Sequence, residues 1–118
     1  MSGIDGFLRS FRNAARGLLL AAGGRNLRVM LAASVAVVAV GAAYRVDRGT
    51  WTVLLLCIGL VLGAEVANSA IERLADVVQP ERDTAIRDVK DIAAGGVFVA
   101  SIAAAAVGVV ALWPYVVG

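Results

Sequence analysis

Four stretches of the chain carry long apolar patterns, and they are of two kinds. The first, residues 4–22, repeats at about 100° per residue, the helical period. Ile4, Phe7, Leu8, Phe11, Ala15 and Leu18 share one face, while Arg9, Arg12, Asn13 and Arg16 share the other. An apolar face backed by arginines suits a helix lying in a membrane interface, and this segment is expected there. The other three stretches are each built on a long unbroken apolar run. Residues 27–44 are bracketed by Arg28 and Arg45. Residues 51–78 begin at Trp51 and carry no charge before Glu65. Residues 84–113 are apolar from Ile92 to Leu112, with Trp113 and Tyr115 at the far end. A helix needs about 20 apolar residues to cross a hydrocarbon core of about 30 Å. The predicted architecture is an all-α membrane protein: three transmembrane helices plus an N-terminal amphipathic interfacial helix, in one domain over 1–118.

The breaks agree with the runs. Gly23 and Gly24 interrupt the first pattern, and Arg45–Thr50 forms a tight polar turn. Pro80 ends the second span and biases Gln79 away from helix. Asp83 or Thr84 is placed to cap the next helix. The N-terminus opens on polar residues and shows no cleavable leader pattern, so the spans themselves are expected to direct insertion.

Composition sharpens this picture. Hydrophobic residues make up 60% of the 118 and charged residues 17%, against about 45–50% and 25% in soluble domains. With no His in the chain, imidazole catalysis and His-ligated metal sites are excluded. Cys57 stands alone in an apolar run, so neither an intrachain disulfide nor a cysteine cluster can form. Nine of the eleven basic residues precede the first span or lie between the second and third, and only Arg45 and Arg48 lie on the other side. The positive-inside rule then puts the N-terminus and residues 72–91 in the cytoplasm. The net charge of +2 speaks for anionic lipid contact, and nothing calls for nucleic acid.

The candidate chemistry lies where the second span leaves the membrane. Glu65, Asn68, Ser69, Glu72 and Asp76 fall within about 60° to either side of one line along a helix. A carboxylate at the hydrocarbon boundary is costly and faces a protein interior or a wet cavity. Carboxylates and an amide on one stripe suit divalent-metal and phosphate chemistry, because Mg²⁺ takes one or two carboxylates plus phosphates and water. Lys90 offers a cation for phosphate, and Glu65 a base for a lipid hydroxyl. The plainer alternative is a solvated helix end whose acids pair with Arg73, Arg82 and Arg87.

These residues carry a resemblance. Glu65-x-x-Asn68-Ser69-Ala70-Ile71-Glu72-x-x-x-Asp76, followed by Pro80-Glu81, Lys90-Asp91 and the small run Ala93–Gly96, looks like the signature of the small bacterial diacylglycerol kinase/undecaprenol kinase family. Ser10-Phe11-x-x-Ala14-x-x-Gly17 and Arg25-Asn26-Leu27-Arg28 resemble its N-terminal pattern. The resemblance implies a homotrimer in the bacterial cytoplasmic membrane that phosphorylates a lipid alcohol with MgATP, at sites between subunits. It implies that Glu65 is the base with Asn68 beside it, and that Glu72 binds Mg²⁺. Lys90 is then expected on nucleotide phosphate, with Asp76, Asp91 and Arg12 also on the nucleotide side. The Arg25–Arg28 pattern is closer to the polyprenol branch, favouring undecaprenol over diacylglycerol. One departure is clear: the family places a metal-binding glutamate directly before Arg-Asn, where this chain has Gly24. Either Glu72, phosphates and water hold the metal, or another acid such as Asp76 substitutes. The alternative is a non-catalytic or degenerate protein of the same fold. An ion pathway rests on the boundary carboxylate alone.

Overall fold

The computed structural model describes residues 2–118, which form four α-helices and no sheet. Helix α1 spans Gly3–Ala21, α2 Arg25–Ala43, α3 Arg48–Val78 and α4 Thr84–Val117. The last three are long and apolar enough to cross a membrane. At 1.5 Å per residue, α3 is about 46 Å long and outruns a core of about 30 Å. The polar stripe occupies its second half, after the apolar run from Trp51 to Ala64.

Each helix begins where a side chain can serve its first free N–H groups, except α2. Ser2 Oγ accepts from the Asp5 N–H at 3.2 Å at the start of α1. Asp47 Oδ1 accepts from Thr50 N–H at 2.7 Å at the start of α3. Asp83, rather than Thr84, caps α4 through the N–H groups of Ala85 and Ile86. Gly24 starts α2 with no side-chain cap. Helix α3 stops at Gln79, which leaves the helical region (φ −146°, ψ 89°) ahead of Pro80, in keeping with the steric bias against helix before proline. Helix α4 continues past residue 113 and takes in Pro114 near its end.

The α2–α3 turn is closed by a double bond pattern: Arg45 N–H donates to Ala42 O and Val46 N–H to Gly41 O, both at 3.2 Å. This is the Schellman arrangement, which asks for a left-handed residue just past the helix. Arg45 supplies it with φ 51°, although glycine is the residue that does so without steric cost. Val46 is buried beneath the turn. Across it, the Asp47 N–H donates to the Tyr115 hydroxyl at 3.0 Å, fastening the end of α4 to the start of α3.

Helices α3 and α4 form the most extensive pairing; α2 packs on α3, and α1 meets α3. The result is a slab of 53 × 45 × 19 Å. Buried apolar side chains are few: Ala21, Leu27, Val46, Leu54, Ala75 and Val97. Glu65 and Asn68 are as deeply buried as these, each 4% exposed. The apolar face of α1 is uncovered, with Ile4, Phe7, Leu8, Phe11 and Leu18 exposed and the Phe7 and Phe11 rings edge to face at 5.0 Å. Residues of α2, α3 and α4 line a groove of about 680 Å³ that includes Met30, Val37, Leu54, Cys57, Ser101 and Trp113.

Candidate active site

The polar stripe of α3 runs from burial to solvent along a single helix. Glu65 and Asn68 are buried, Ser69 is partly so, and Glu72 and Asp76 are exposed. Helical spacing sets this gradient, because each step of three or four residues keeps the face and moves about 5 Å along the axis. Ser69 turns its hydroxyl back onto the Glu65 carbonyl at 3.0 Å, which leaves Asn68 as the polar group beside the carboxylate. Asn68 Nδ2 donates to Glu72 Oε1 at 3.3 Å, whereas Asn68 Oδ1 is buried without a partner among the described residues. Buried amide oxygens are paired in the great majority of proteins. An orphan beside a buried carboxylate is the kind of acceptor that a ligand's hydroxyl satisfies.

Farther along, α4 joins the stripe. Lys90 Nζ donates to Asp76 Oδ1 at 2.5 Å across the α3–α4 hairpin. The two line a polar pocket of about 640 Å³ with Gln79, Glu81, Arg82, Thr84, Arg87 and Asp91. Asp91 stands 3.9 Å from the Arg87 guanidinium, one turn away on α4. The candidate residues thus fall into two neighbouring groups: Glu65, Asn68 and Glu72 on α3, and Asp76, Lys90 and Asp91 in the pocket. Arg12 lies on the exposed α1 and is not part of the pocket lining.

Arg73, a partner for the acids only in the plainer alternative, donates through Nη2 to the Leu20 carbonyl at 3.4 Å, near the end of α1. That contact ties the surface helix to α3 within one to two turns of Asn68 and Glu72. No local pattern signals it, because the partners lie 53 residues apart.

Among the described residues no group of three or more acids or thiols could hold a metal ion. The residues do fit a Mg²⁺ that arrives with its own phosphate oxygens, since that ion asks the protein for only one or two carboxylates. Glu72, exposed and oriented by Asn68, is the carboxylate available. Gly24 adds nothing to it. Its backbone (φ −80°, ψ 142°) does not demand glycine, and a Cβ there would come within 3.3 Å of the Ala21 carbonyl.

Comparison with known proteins accords with this arrangement. Residues 12–112 match the family model described as prokaryotic diacylglycerol kinase. The chain is also 30% identical to the undecaprenol kinase of Bacillus subtilis (strain 168) over 112 residues, covering 94% of this chain and 91% of the relative. No solved structure matches. The family match takes in the whole stripe, the α3–α4 hairpin and the three long helices except the last residues of α4, and the chain belongs to the prokaryotic diacylglycerol kinase family.

Proposed function

We propose that the protein is a Mg²⁺-dependent lipid kinase that transfers the γ-phosphoryl group of ATP to a membrane lipid alcohol, working as a homotrimer in the bacterial cytoplasmic membrane with its N-terminus inside. The observation that carries the reading is the buried Glu65–Asn68 pair, whose amide oxygen has no partner among the described residues, at the end of the uncharged run of α3. A lipid hydroxyl arrives at that depth without leaving the membrane. Glu65 accepts the hydroxyl proton as the alcohol oxygen bonds to the γ-phosphorus; the bond to the β–γ bridging oxygen breaks, and ADP leaves. Asn68 Oδ1 accepts from the hydroxyl as the lipid docks, before that proton passes to Glu65, and Nδ2 keeps Glu72 turned toward the phosphates. Mg²⁺ bound with Glu72 and the phosphates would offset the negative charge on the transferring group. Lys90 offers its ammonium to the phosphate chain, with Asp76, Asp91 and Arg12 on the nucleotide side. Catalysis of this kind rests on positioning and charge stabilisation. Undecaprenol is the favoured acceptor, supported by the undecaprenol kinase relative.

The test is detergent-solubilised protein with MgATP and either undecaprenol or diacylglycerol. Phosphorylation of one is expected, undecaprenol faster. Glu65→Gln should lower turnover by at least about 100-fold, the scale of a lost general base, with the oligomer intact on size-exclusion chromatography. Full activity in that variant removes Glu65 as the base. Turnover of neither lipid, with no MgATP-dependent thermal shift, would favour a non-catalytic protein of this fold.

A further inference from the structure

Lysine is a poor phosphate ligand unless its ammonium is held in place, because the four-carbon stem samples many rotamers. Lys90 is held. Its Nζ meets Asp76 Oδ1 at 2.5 Å, and its side chain is 35% exposed against 62% for Asp76. The two residues sit on different helices, 14 positions apart, so the bond also spans the hairpin whose mouth forms the polar pocket. An ammonium has three donors; one is spent on Asp76, and two remain for another acceptor.

We infer that Asp76 is a positioning residue that acts through Lys90, tethering its ammonium at the pocket for a nucleotide phosphate, and that Asp76 touches neither nucleotide nor metal. The inference rests on the kinase reading and narrows it. It also answers the question raised by Gly24: a carboxylate engaged with Lys90 is not the substitute metal ligand. Two rival roles predict different outcomes. If Asp76 were a latch competing with phosphate for Lys90, its removal would tighten nucleotide binding. If Asp76 bound the nucleotide or Mg²⁺ directly, its removal would weaken binding whether or not Lys90 were present.

A double-mutant cycle separates the three roles. MgATP binding is measured by thermal shift without lipid, and KM and kcat with lipid, for wild type, Asp76→Asn, Lys90→Ala and the double variant at fixed ionic strength. Asp76→Asn is expected to raise the apparent Kd and KM for MgATP about threefold to tenfold while the midpoint for Mg²⁺ at saturating ATP stays put. In the Lys90→Ala background the same change should add less than twofold, and Asp76→Glu should recover part of the loss. Tighter binding in Asp76→Asn, additive losses in the double variant, or a displaced Mg²⁺ midpoint would each overturn the tether. Wild-type protein that binds MgATP with the expected coupling yet phosphorylates no lipid would sink the kinase reading and leave the tether standing. No MgATP binding by wild type would overturn both.

Discussion

The Asp47 carboxylate starts α3 by accepting from the Thr50 N–H, and its backbone N–H reaches the Tyr115 hydroxyl. The Thr50 backbone bond, then its hydroxyl, holds this carboxyl below the usual aspartate range. A group depressed in the folded state stabilises the fold above its unfolded pKa, about 4 for aspartate, and that contribution fades as pH falls through the lower folded value. The expected result is a loss of stability below about pH 4 that is absent in Asp47→Asn, which keeps the cap acceptor but cannot titrate. Thermal unfolding of the two proteins in detergent between pH 5 and pH 3 measures it. Equal acid sensitivity would show that the cap carries no proton linkage. Glu65 and Asn68 differ from Asp47 in kind: both are buried in a chain with little buried surface, and the Asn68 oxygen has no partner among the described residues. Stability alone does not call for such a pair.

At the scale of elements, the α2–α3 corner is the tightest joint. A Cβ at Gly41 would lie 2.9 Å from Trp51 Cη2 and within 3.2 Å of two more ring atoms. Gly41→Ala is therefore expected to destabilise by about 1–3 kcal/mol through overpacking, seen as a lower unfolding midpoint in detergent. Unchanged stability would mean that the indole slides aside freely. Much of the element plan was legible in the residues. Unbroken apolar runs gave the three long helices, Pro80 and Gln79 gave the stop of α3, and 3.6-residue spacing put Glu65, Asn68, Glu72 and Asp76 on one line. The joints were not legible. Arg45 takes the left-handed position without the glycine that announces such a turn, and Tyr115, at the far end of the third apolar run, reaches back 68 residues to Asp47. Arg73 joins α1 by the same kind of long-range bond, and the Asp76–Lys90 bridge depends on how the hairpin closes. Local periodicity carries no information about any of these distances.

As a whole the chain is a slab only 19 Å thick, less than two helix diameters of about 10–12 Å. Large apolar side chains line its faces, including Leu55, Leu56, Leu60, Phe98 and Val110. Trimeric sites shared between subunits would be read by mixing. Co-assembly of Glu65→Gln with Lys90→Ala subunits is expected to recover turnover well above that of either variant alone, because some interfaces then hold an intact Glu65 and an intact Lys90. Co-assembled trimers with no recovery would place each complete site within one subunit. Thinness has a further consequence. A protein with so little interior of its own borrows its inside from whatever surrounds it, so its melting temperature is a property of protein, amphiphile and neighbouring copies together. Diluting it into excess micelles should soften it at constant pH and salt, and restoring bilayer or subunit density should harden it again.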